Sequence, residues 1–128
     1  MSALAALPRP DGSALIVSGG VNGAVQLWDA DTGEPVGPAL TGHDGPVYVI
    51  AALAGRLVTG GEDATVRVWD PATGEQVGPA LLGHTGPVLT LAVVPRPGRP
   101  ALIVSGGKDE SVLVWEPAPE GADQRASS

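Results

Sequence analysis

The sequence predicts an all-β chain built from tandem copies of one unit, and three observations carry that prediction. The stretch Gly-Pro-Ala-Leu-x-Gly-His-x-Gly-Pro-Val occurs at Gly37 to Val47 and again, forty-one residues on, at Gly78 to Val88. Self-similarity at such a period marks a repeat architecture. The 128 residues include 19 Gly and 13 Pro, which cost roughly 1 and 3 kcal/mol in a helix interior and so disfavour long helices. Trp28, Trp69, Trp115 and Tyr48 are the only aromatics. Three widely spaced tryptophans must therefore carry much of the packing, since each can bury roughly 150–250 Å².

Charge and cysteine content narrow the function. The formal net charge is −7, and the seven basic residues are scattered from Arg9 to Arg125 rather than gathered in a stripe, which argues against nucleic acid and anionic membrane as partners. With no cysteine there is no disulfide, thiol nucleophile or Cys-ligated zinc, a composition that fits a reducing compartment such as the cytoplasm. The opening Met1 to Leu7 lacks a basic flank and its apolar run ends at Pro8, too short for a secretory signal or a membrane span.

Taken in order, the elements repeat. Leu4-Ala5-Ala6-Leu7-Pro8 aligns with Leu91-Ala92-Val93-Val94-Pro95 at an offset of 87, so the chain begins in the first strand of a unit. Leu15 to Gly20 reads as a strand, Asn22-Gly23 as a tight hairpin turn, and Ala24 to Asp29 as its partner strand. A polar turn at Asp31 to Glu34 leads to a fourth strand, Val36 to Leu40. The second unit repeats this as Pro46 to Ala54, Arg56 to Gly61, Ala64 to Asp70 and Val77 to Leu82. The third runs Pro87 to Val94, Ala101 to Gly107 and Ser111 to Glu116, and there the pattern stops. Trp28 and Trp69 are 41 apart, Trp69 and Trp115 are 46 apart, and the extra residues fall in Pro95 to Pro100, read as a loop insertion that leaves the strands untouched. The units are bounded at 2–42, 43–83 and 84–116, and the Pro-, Ala- and Ser-rich segment 117–128 is expected to be a disordered tail in place of a fourth strand.

These residues resemble the WD40 repeat family, through Gly42-His43 and Gly83-His84, Trp28-Asp29 and Trp69-Asp70, a period near 41 and about four strands per unit. The resemblance implies three antiparallel β-propeller blades, the last lacking its outer strand, in an array that is open rather than closed. It also implies a side-chain network in each blade: His43, Thr59, Asp63 and Trp69 in the second, and His84, Ser105, Asp109 and Trp115 in the third. The chemistry is reasonable, because a buried indole N–H, hydroxyl and imidazole each need a partner. In the first blade only Ser18 and Trp28 match, and Asn22 stands where the carboxylate belongs. Family contact positions carry over as Asp44, Tyr48 and Glu62 on one blade and Thr85, Leu89 and Lys108 on the next. The implied function is a soluble, cytoplasmic, non-catalytic scaffold that binds protein partners without a cofactor. Since propellers close with roughly four to eight blades, three blades imply either a piece of a larger propeller or completion by further blades, including those of a second copy.

Other readings fare worse. Ser105, His84 and Asp109 would suit a hydrolase triad, but a triad needs to occur once, and this set recurs with Thr59 in place of serine and no Gly-x-Ser-x-Gly elbow. His43 and His84 fall short of the four ligands of a closed zinc site. Acidic residues after the tryptophans, such as Asp31 and Asp70, are more simply solvated turns than calcium ligands.

Overall fold

The structure, a computed structural model, describes residues 3–8, 12–53, 56–71, 73–78, 80–116 and 125–127. Alternating apolar and polar residues, interrupted by glycine turns, give strands and, among the described residues, no helix. The first sheet is an antiparallel meander of β1 (Ala3–Pro8), β2 (Ala14–Gly19) and β3 (Val25–Asp29). The second comprises β4 (Val47–Leu53), β5 (Arg56–Gly61), β6 (Val66–Asp70) and the two-residue β7 (Glu75–Gln76). The third comprises β8 (Val88–Arg96), β9 (Arg99–Gly107), β10 (Val112–Glu116) and β11 (Arg125–Ser127). All three are antiparallel, none is closed on itself, and they stack face to face in chain order, as blades do.

The core lies between the sheets. Leu7, Leu15, Val17, Val25 and Leu27 of the first sheet pack against Val47, Ile50, Leu57 and Trp69 of the second. Because successive strand residues point to opposite faces, Val58, Val66 and Val68 on the other side of the second sheet pack against Val88, Ile103 and Trp115 of the third. The second sheet is thus covered on both faces.

Three features differ from the sequence expectation. The outer strands expected at Val36 to Leu40 and Val77 to Leu82 reduce to bridges at Pro35, Leu40 and Leu81 beside the short β7. Gly37 and Gly78 adopt φ of 70° and 73°, which breaks the pleat, and Pro38 has no N–H to donate. The insertion at 95–100 is not a bare loop, since β8 and β9 extend into it and pair Arg96 with Arg99 around a turn with Gly98 at φ 68°. Finally, Arg125–Ser127 pairs antiparallel with Val114 to Glu116, so the third sheet gains a short outer strand where none was expected. An uncovered strand edge offers a row of unpaired donors and acceptors, and these three residues satisfy part of it. The rest of the expected disordered tail, 117–124 and Ser128, lies outside the described residues.

Candidate functional site

The hairpin between the second and third strands of each sheet has the same backbone. A turn closes from the N–H of Gly23, Ala64 or Glu110 to the carbonyl of Gly20, Gly61 or Gly107. That third loop residue is left-handed in every copy, with φ of 84°, 67° and 66° for Gly23, Ala64 and Glu110. Asn22-Gly23 therefore marks a three-residue loop rather than the two-residue turn its sequence suggests.

On this frame the second sheet assembles a polar chain. The Trp69 indole donates to Thr59 Oγ1 at 2.9 Å, and Thr59 Oγ1 lies 2.6 Å from His43 Nε2. Because the ionised carboxylate that faces Nδ1 can only accept, the network assigns the proton of the imidazole to Nδ1, and the Thr59 hydroxyl, which accepts from the indole, donates to Nε2. Nδ1 faces the Asp63 carboxylate at 3.1 and 3.2 Å. Asp63 also accepts from the Asp44 amide at 2.9 Å and from the Thr65 hydroxyl at 2.8 Å. The third sheet repeats the arrangement: Trp115 to Ser105 at 2.7 Å, Ser105 to His84 Nε2 at 2.8 Å, and His84 Nδ1 to Asp109 at 3.3 Å. In the first sheet, among the described residues, only the Trp28 bond to Ser18, at 2.9 Å, is present. Asn22 accepts from the Ala24 amide of its own turn.

Glycine precedes each histidine because the loop lies against the indole of its own sheet. A Cβ on Gly42 would stand 2.9 Å from the Trp69 ring, and one on Gly83 would stand 3.3 Å from that of Trp115.

Titration follows from this packing. Burial pushes His43 below its ordinary value, against the raising pull of Asp63. Burial alone would push Asp63 up, but hydrogen bonds from the Asp44 amide, His43 and Thr65 outweigh it and hold the carboxyl low. Hydrogen bonds from the Ser111 side chain and from the Thr85 and Ser111 amides hold Asp109 far below the usual carboxylate range.

Thr65 and Ser111 were not singled out from the sequence, yet each hydroxyl bonds both to the turn carboxylate and to the imidazole Nδ1, at 2.8 and 3.2 Å for Thr65 and 2.6 and 2.9 Å for Ser111. The signal available was a hydroxyl two residues after the aspartate in both complete units, with Ala24 at that place in the first.

The geometry resembles a triad but is built for holding rather than attack. Ser105 is fully buried, and a lone pair of its oxygen is occupied by the Trp115 indole, so no acyl carbon can approach it. Among the described residues, no group of three or more His, Asp or Glu is placed to hold a metal ion, and no helix is long and apolar enough to cross a membrane.

The expected contact residues lie on the same loop side. Strand pairing skips Tyr48 between Val47 and Val49, and Leu89 between Val88 and Thr90, so each is the extra residue of a β-bulge. A bulge re-aims its side chain out of the alternating pattern. Tyr48 and Leu89 thereby meet Glu62, Pro87 and Lys108 around one groove between the second and third sheets. The Tyr48 hydroxyl donates to Glu62, and this hydrogen bond raises the phenol above its usual value. Asp44 and Thr85 do not line the groove; they are exposed, and their amides hold Asp63 and Asp109.

A family model described as WD domain, G-beta repeat, matches residues 33–70 and 76–116, spans that contain the two complete networks. Among solved structures, the chain is similar to the computationally designed Ika8 protein in its crystal structure, with 30% identity and a TM-score of 0.74 over 90% of this chain. The chain spans about a third of that protein's length, 32%. No curated protein matches it.

Proposed function

The chain belongs to the WD40 family of WD domain, G-beta repeats, and from that premise we propose that it is a non-catalytic protein-interaction scaffold that works in the cytoplasm and binds its partner in the groove between the second and third blades. Repeats of this family serve as interaction scaffolds, which is the general kind of function. The observation that supports the specific reading is the pair of bulges. They set an aromatic ring and a leucine, Tyr48 and Leu89, beside one acid and one base, Glu62 and Lys108, in a single depression. Amphipathic aromatics flanked by polar groups are the usual anchors of binding energy at interfaces. The fitting partner is a peptide segment with an apolar side chain over Tyr48 and Leu89 and a charged group on either flank.

A phage-displayed dodecapeptide library, selected on the wild-type chain and counter-selected on a Tyr48→Ala, Leu89→Ala double variant, tests this. Peptides that bind the wild type at least roughly tenfold tighter than the variant, a difference of about 1.4 kcal/mol, are the expected result. Peptides that bind both equally would overturn the assignment of the groove. A second reading, association of the array with further blades, is favoured by the outward faces of the first and third sheets, against which no other sheet packs among the described residues and where Ile16 and Val112 are 41% and 59% exposed.

A further inference from the structure

We propose that those two faces are complementary halves of one interface, through which the chain binds a second copy of itself head to tail. The inference rests on the scaffold reading but uses the sheet faces, not the groove.

Each internal interface joins the downstream face of one sheet to the upstream face of the next. Strand pairing places Leu4 opposite Ser18 and Ile16 opposite Trp28, as it places Ile50 opposite Thr59 and Leu57 opposite Trp69. Leu4 and Ile16 therefore hold the upstream positions of the first sheet. They are 60% and 41% exposed, whereas Ile50 and Leu57 are 8% and 0% exposed against the first sheet. At the other end, Val112 pairs with Gly106 as Val25 pairs with Gly19 and Val66 with Gly60. Val112 is 59% exposed, while Val25 and Val66 are fully buried under a following sheet. Both halves of a further interface of the internal kind are thus present, one at each end of the array.

The backbone repeats the same logic. A Cβ on Gly19 or Gly60 would stand 2.8 or 2.6 Å from Val47 or Val88 of the next sheet, whereas at Gly106 the sole close neighbour among the described residues is Thr90 of its own sheet. Gly106 is a socket awaiting an upstream face.

Because the matching halves are different surfaces, the contact is heterologous and not a two-fold pairing of like with like. That distinction gives a decisive experiment. Ile16→Lys and Val112→Lys each place a charge on one open face at an exposed position, so the monomer should keep its circular dichroism. Sedimentation velocity across a concentration series is expected to show the wild type as concentration-dependent oligomers and each variant alone as a monomer. An equimolar mixture of the two variants retains one intact pair of faces, and its expected product is a discrete species of twice the single-chain mass. A folded wild type that stays monomeric at all concentrations would overturn the proposal, as would oligomers or aggregates that persist in either single variant. Oligomers that survive in the Tyr48→Ala, Leu89→Ala variant would show that the sheet faces act independently of the groove, so the two readings can fail separately.

Discussion

The first and second sheets share a hairpin backbone and differ in what is hung on it. Around Gly20 to Gly23 and Gly61 to Ala64 the same turn bond forms and the third residue is left-handed in both. Yet the second sheet threads an indole, a hydroxyl, an imidazole and a carboxylate through its turn, and the first, among the described residues, has only an indole and a hydroxyl. The network is therefore not what shapes the hairpin. Its service is to tie the incoming loop, through His43, to a turn that would form without it. The tie has a further consequence for the seam between sheets, since the loop it fixes leads into Val47, whose amide bonds to the Gly20 carbonyl of the first sheet at 3.1 Å.

The two sheets should differ most at their tryptophans. Trp69→Ala removes a ring buried between two sheets and should cost about 3–5 kcal/mol. Trp28→Ala removes a half-buried ring from an open face and should cost only about 1–2 kcal/mol, because less area returns to water. Urea unfolding followed by circular dichroism measures both, and equal losses would contradict the difference in packing. Next in size, Asp63→Ala strands the His43 Nδ1–H and two amides, with an expected loss of about 1–3 kcal/mol. Asn22→Ala, at an exposed turn, should cost less than about 0.5 kcal/mol.

Acid sharpens the same contrast, because Asn22 does not titrate. Burial lowers His43, so the unfolded chain takes up a proton that the folded one resists, and stability should begin to fall as the pH drops below about 6.5. Asp63 and Asp109 are held below their ordinary values, so what they contribute is present above about pH 4 and is lost as the pH falls through their folded values. Urea midpoints at neutral pH, in the His43 range and below the carboxylate range should therefore decline in two steps. Asp63→Asn should shrink the lower step, and a midpoint independent of pH would refute the assignment. The smallest effect is expected from Asn22→Asp, a gain of less than about 0.5 kcal/mol, because among the described residues no imidazole is bonded to that turn. A larger gain in the urea midpoint would mean that the carboxylate is stabilising by itself.

What could be read in advance was whatever depends on residue type at fixed spacing. The unit length, the glycine-closed hairpins and the histidine, hydroxyl, aspartate and tryptophan that meet around Thr59 are all visible as recurrences. What depends on strand register was not. The bulges at Tyr48 and Leu89 exist only relative to β5 and β9, so no local pattern announces them. Thr65 and Ser111 look like ordinary turn residues until the imidazole is seen above them. The outer strands failed for a local reason, the left-handed Gly37 and Gly78, which the apolar residues on either side disguised. The short β11 lies in a stretch whose composition gives no strand signal, and it is held by the edge it covers.

The uneven placement of the three indoles gives the molecule a built-in optical reporter. Trp69 and Trp115 are sealed between sheets, whereas Trp28 lies half-buried on the uncovered upstream face. A collisional quencher such as acrylamide should therefore read Trp28 almost alone, and the emission of that one residue would shift to the blue when another sheet closes over it. Its spectrum follows the occupancy of the array's open end without any label.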